Sequence, residues 1–176
     1  MSVEFARPQR VDTIGDDART IEIDADAQER AALAKRFDLI GIERLTGKFT
    51  IRRDAAGIVA EGRVAAAVTQ ACSITGDPLP ATVDEPVALR FVAEEDSGQD
   101  EVELGDSDID VIPYEGGTID LGEVAAETMA LALDPFPRGP NAATVLKEAG
   151  VLSEEDAAPL GPFGALAALR DKLGKT

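Results

Sequence analysis

The chain of 176 residues has no histidine, no tryptophan, one cysteine, one tyrosine and six phenylalanines. Without histidine there is no Ser-His or Cys-His pair to activate a nucleophile, no imidazole proton shuttle and no His-containing zinc site. The single Cys72 cannot form an internal disulfide, in keeping with a reducing compartment. Scarce aromatics leave Ala, Val, Leu and Ile to build the core. A chain of this length buries roughly 70% of its unfolded surface, as one domain or one domain with a tail. No run approaches the ~18 consecutive apolar residues of a membrane span. The opening MSVEFARPQR has acidic Glu4 where a signal peptide has a basic region, so the expected compartment is the cytoplasm and no membrane partner is expected.

Positive charge is scarce as well. Seventeen basic residues face thirty-four acidic ones, for a formal net charge of −17. Nucleic-acid binding draws on Lys and Arg that displace counterions from phosphates, and a chain this acidic is repelled at long range. The expected partner is a protein, and a basic one.

What is present is mostly periodic. ARTIEIDA (18–25) alternates through Ile21 and Ile23 as a short strand. The next segment reads as a helix, with Asp26 as cap, Glu29 at the capping-box position, and Leu33 and Phe37 on one face. From 39 to 92 the period is two. Leu45, Gly47, Phe49 and Ile51 form one inward set; Ile58, Ala60, Val64, Ala66 and Val68 a second; Val83, Val87, Leu89 and Phe91 a third. Joined by the DAAG turn (54–57) and by SITGDPLP (73–80), they predict an antiparallel meander with one wet face and Pro86 at a sheet edge. Residues 94–110 carry nine acidic side chains and no basic one, which reads as a loop extending to 113. A second helix follows, capped by Asp120 with Glu123 at the capping-box position, striped by Leu121, Val124, Thr128 and Leu131, and ended by Pro135 and Pro137. The remainder holds weak helical pieces, the last an amphipathic stretch over 162–173 with Arg170, Lys172 and Lys175 near its end. No internal repeat is present. The expected architecture is α+β: an antiparallel β meander or partial barrel with flanking helices and an acidic loop, as one domain over 1–140 with a tail over 141–176.

Most motifs fail on spacing. GIERLTGKF (41–49) has five residues between its glycines where a phosphate loop has four, and Phe49 where a Ser or Thr would hold magnesium. DSDID (106–110) starts like a calcium loop, but Val111 and Gly117 stand where such a loop needs Gly and Glu. The carboxylates at Asp120 and Glu123 are explained by capping. No cofactor, metal or catalytic residue is expected. Cys72 shares its strand register with Ile58, Val64 and Val68, so it reads as a small inward hydrophobe. No cation or helix N-terminus adjoins it in sequence to lower its pKa.

The string TQACSITGDPLPATVDEPVALRF, an acidic gap and IDLGEVAAETMALALDPFPRGP together resemble the YceD-like family, known as large ribosomal RNA subunit accumulation proteins and also catalogued as a domain of unknown function. The residues that carry the resemblance are Gln70, Cys72, Thr75 and Pro78, then Ile119, Asp120, Leu121, Gly122 and Glu123, then Leu131 to Pro137. Many members read Cys-x-x-Cys at the first motif, whereas this chain reads Cys72-Ser-Ile-Thr75, so no metal or disulfide role carries over. The resemblance implies a part in ribosome assembly or RNA maturation, and no mechanism. Charge then favours a non-enzymatic factor acting through a protein partner, such as a basic ribosomal protein or an RNA-maturation factor. The acidic 94–110 run would steer that partner, and the Asp120 helix and the 162–173 stretch would be its docking surfaces. One alternative is direct binding of ribosomal RNA, if Arg52, Arg53, Arg63 and Arg90 gather on one sheet face; Arg52 and Arg63 fall on outward registers of neighbouring strands. The other is a carboxylate-based hydrolase, which needs a pocket holding two perturbed carboxylates.

Overall fold

Alternation of period two becomes three long strands in the computed structural model, which describes residues 4–94 and 109–151. They are β3 (Gly41–Asp54), β4 (Gly57–Ala71) and β5 (Pro78–Ala93). Short β1 (Pro8–Arg10) and β2 (Arg19–Asp24) precede them, with helix α1 (Ala27–Arg36) between β2 and β3. After them come β6 (Asp110–Tyr114), β7 (Thr118–Asp120), α2 (Leu121–Ala132) and α3 (Ala142–Glu148). The fold is α+β: an open five-stranded sheet in the order β2-β3-β4-β5-β6, and a two-stranded pair of β1 with β7. The described residues divide into two compact units, one of residues 4–71, 78–94 and 109–137, the other of residues 72–77 and 138–151.

In the first unit the meander pairs antiparallel, and β6 joins β5 in parallel. Between β3 and β4 the chain reverses at Asp54, whose Oδ1 accepts the Ala56 N–H at 2.9 Å. The inward registers are those expected from alternation. Leu45, Phe49, Ile51, Ile58, Val64 and Val68 are buried together with Leu33 of α1 and Leu121, Ala125 and Met129 of α2. Truncating Phe49 there would cost about 3–5 kcal/mol.

Three expectations need correction. Asp110–Tyr114 is strand β6 rather than the end of an acidic loop, because Val111, Ile112 and Tyr114 offer strand-forming side chains and β5 supplies a backbone partner at Leu89–Ala93. Strand β5 is therefore an edge only along Pro78–Ala88. The α2 stripe also differs: Leu121, Val124, Ala125, Ala126 and Met129 are buried, while Leu131 is 87% exposed. Small alanines let α2 sit close to the sheet over its first turns, and the stripe leaves the core before Leu131. The acidic residues 95–108 and the amphipathic 162–173 stretch lie outside the described residues.

Candidate functional site

The second motif, Ile119 to Glu123, builds a joint between the N-terminal segment and two helices. Asp120 Oδ1 accepts the N–H groups of Gly122 at 2.9 Å and Glu123 at 3.3 Å, and also that of Arg7 at 2.8 Å. Leu121 is fully buried. Gly122 lies where the chain near Phe5 crosses the helix, and a Cβ there would run into the Phe5 carbonyl. Glu123 does not complete a capping box. Its carboxylate meets Arg36 of α1, with Nη2 to Oε1 at 2.5 Å and Nη1 to Oε2 at 2.9 Å, and that guanidinium holds its pKa below the usual carboxylate range. Arg7 reaches the other helix start, donating to Glu29 Oε1 at 2.7 Å and Oε2 at 2.9 Å and lowering the Glu29 pKa. Nothing in the local sequence announces Arg7 or Arg36, whose partners lie 22 and 87 positions away.

Gln70 reaches the residue that precedes the Pro135–Pro137 exit, its Nε2 donating to the Asp134 carbonyl at 2.9 Å. Pro78 opens β5 opposite Ala71. Phe136, between the two prolines, is 71% exposed.

The outward registers place Arg52, Arg63 and Arg90 on the wet face of the sheet. Arg52 and Arg90 lie in one cross-strand row on either side of Val59, while Lys48 and Arg63 share another. Arg53 leaves this group, since it turns to the other side and donates to the Ile14 carbonyl at 3.1 Å and the Val11 carbonyl at 2.6 Å. The remaining cations are paired: Arg63 with Asp84 at 2.8 Å, Lys48 with Glu22 at 2.8 Å, and both Arg90 at 2.6 Å and Arg52 at 3.6 Å with Asp54. With Arg44 added, five cations share the face with six carboxylates, Glu22, Asp24, Glu43, Asp54, Glu61 and Asp84. The arginines gather, but the face is not basic.

In the second unit, Cys72 lies one residue past β4, buried and outside the core cluster of the sheet. Cys72-Ser-Ile-Thr75-Gly76 forms a tight knuckle, closed by Gly76 N–H to the Cys72 carbonyl at 2.9 Å, with Gly76 at φ +75°. Its Sγ accepts the Gly139 N–H at 3.3 Å and the Thr75 N–H at 3.5 Å. The Gly139 N–H chiefly, then Thr75 through its hydroxyl and N–H, and the Ile74 N–H, pull the thiol pKa down to about 6. The cradle is made of backbone N–H groups and the Thr75 hydroxyl, with no cation in it, so the local sequence does not announce it. Thr75 also fixes the turn, its hydroxyl oxygen accepting the Asp77 N–H at 3.2 Å.

Among the described residues, no group of three His, Cys, Asp or Glu is arranged to hold a metal ion. Among them, too, no helix is long and apolar enough to cross a membrane. Glu94 has its pKa raised by hydrogen bonding to Glu115, but this carboxylate pair lines none of the grooves beside α1, α2 and the wet face.

Comparison with known proteins agrees with the motifs. No curated protein and no solved structure matches significantly. The family described as large ribosomal RNA subunit accumulation protein YceD matches residues 60–170, a span that takes in both motifs. The chain belongs to the YceD family of large ribosomal RNA subunit accumulation proteins.

Proposed function

We propose that the protein supports accumulation of large-subunit ribosomal RNA as a non-enzymatic, cofactor-free factor that binds a cationic protein, such as a basic ribosomal protein or an RNA-maturation factor. The observation that carries this reading is the distribution of charge. The chain bears −17, and the sheet arginines available for phosphate contact stand beside carboxylates. A polyanion meets long-range repulsion and must displace those ion pairs; a basic protein is drawn in by the same field. Residues 94–110 would add to that steering.

The test is recovery of tagged protein from cells with and without RNase. Co-recovery of a basic protein that survives RNase and weakens with salt is the expected result. RNase-sensitive recovery of large-subunit RNA alone would sink this reading.

A second reading, direct RNA binding, is favoured by one observation: Arg52, Arg90, Lys48 and Arg63 occupy two rows of one face. It predicts binding that falls steeply with salt and is lost on Arg52→Glu with Arg63→Glu.

A further inference from the structure

An open groove of about 570 Å³ lies between α2 and the free edge of β5. Its apolar surface includes Val87 on the sheet and Val124 and Leu131 on the helix; Leu131 is almost wholly exposed. Around this surface stand Glu85 on β5, Asp110 at the start of β6 and Glu127 on α2. No Lys or Arg lines the groove, and none of these three carboxylates has an ion pair among the described residues. At the α2 joint and on the wet face, carboxylates such as Glu123, Asp54 and Asp84 are matched by arginines of the same chain. Here the apolar surface is rimmed by carboxylates that are not locked in an ion pair: Arg36 acts on Glu127, which also hydrogen-bonds Glu123, and Arg63 acts on Glu85, but neither guanidinium is bonded to them.

We propose that this groove is the docking site for a cationic amphipathic helix of the protein partner, an inference that rests on the cationic-partner reading above. Charge selects the occupant. A second copy of the chain, also at −17, and an anionic lipid surface are both repelled. Geometry selects the helix over an added strand. Pro78, Pro80 and Pro86 fall at alternate positions of β5, the class whose backbone groups face the open edge, since proline is tolerated in a strand only where no N–H is needed. Three donors are therefore missing from the edge along Pro78–Ala88, and Glu85 adds a charge beside it. An apolar helix stripe packed over Val87, Val124 and Leu131 requires no edge hydrogen bonds, and lysines flanking it would face Glu85, Asp110 and Glu127.

The probe is a helical peptide with Leu at i, i+3, i+4 and i+7 and Lys elsewhere, against a scrambled peptide of the same composition without an apolar face. Both are titrated into isotope-labelled full-length protein. The expected result is amide shift changes concentrated on residues 85–89 and 124–132. Affinity should fall about tenfold for the scrambled peptide, for Leu131→Asp, and for Glu85→Lys with Glu127→Lys. Both variants alter exposed side chains, and circular dichroism checks that they fold. Equal binding of the scrambled peptide would reduce the effect to bulk charge and overturn the proposal. Shift changes centred on the wet face would do the same, as would self-association abolished by Leu131→Asp. In the cellular pull-down, a cationic protein still recovered undiminished by Leu131→Asp would sink the groove but leave the partner reading standing. Failure of the wild type to recover any cationic protein would remove that reading itself.

Discussion

Helices α1 and α2 begin with the same signature, Asp at the cap and Glu three residues on, yet they use it differently. At α1, Asp26 accepts the N–H groups of Gln28 and Glu29, and Glu29 returns to the Asp26 N–H at 2.8 Å, so the box closes on itself. At α2, Asp120 takes the third N–H of Arg7, and Glu123 leaves the box for Arg36. The first start is a local device. The second is a tertiary joint, tying the N-terminal segment to α2 and α2 to α1. The motif residues Asp120, Gly122 and Glu123 each have a structural part in this joint, and the carboxylate-rimmed groove lies further along the same helix.

The comparison breaks most sharply at the second helical position. Gly122→Ala forces a Cβ into the Phe5 carbonyl, and backbone cannot yield as a flexible side chain would. A loss of about 3 kcal/mol is expected. Gln28→Ala, at the matching place in α1, is exposed and replaces one good helix former with a better one, so it should stay within about 0.5 kcal/mol. Urea unfolding of both variants decides this. Equal losses would mean that the α2 start is no joint.

The caps come next. Asp26→Ala should cost about 1 kcal/mol, the usual effect of a lost N-cap. Asp120→Ala should cost about 2 kcal/mol, because it also strips the part-buried Arg7 N–H of its acceptor. A smaller loss at Asp120 than at Asp26 would contradict the geometry.

This pair also shows what the sequence makes legible. Capping depends on residues three apart, and alternation on residues two apart, so both caps, the registers of β3 to β5 and the DAAG turn can be read directly. The diversion of Glu123 depends on Arg36, and the burden on Asp120 depends on Arg7, which local patterns do not connect. The exit of Leu131 from the core depends on where α2 crosses the sheet, which a helical stripe alone does not contain. Cys72 is the clearest case. It is buried, but in the knuckle beyond the end of β4 and not in the sheet core that its register pointed to, and the N–H groups around its sulfur come from that knuckle and from Gly139, 67 positions away.

The sulfur at Cys72 does what the two cap carboxylates do, accepting backbone N–H groups that favour its anionic form. With the folded pKa at about 6 against an ordinary 9.0, the thiolate contribution to stability is complete above pH 9 and is lost as pH falls through 6. Ultraviolet thiolate absorbance should titrate near 6 in the folded protein and near 9 after unfolding. Cys72→Ser keeps an acceptor and should be milder than Cys72→Ala, and both should still bind the cationic partner. A folded-state titration near 9 would show that the N–H cradle does not hold the sulfur.

The smallest effects are expected at the two third-position glutamates, where they sharpen the comparison by their pattern rather than their size. Gln can serve the return bond of a capping box. At Glu29, Gln should therefore retain part of what Ala loses, the remainder being the Arg7 ion pair. At Glu123 there is no return bond, so Gln and Ala should cost the same, about 0.5 kcal/mol for an ion pair roughly a third exposed on each side. Acid should act at both sites in one direction. Arg7 and Arg36 hold these carboxyls below their unfolded value of 4.5, so each contribution is present above that pH and fades as pH falls through the lower folded value. The wild type should then lose more stability than either Gln variant between about pH 5 and pH 3, and added salt should narrow that gap. If Gln rescued Ala at Glu123 as it does at Glu29, the second box would be closed in solution, and the joint through Arg36 would be no more than an exposed pair.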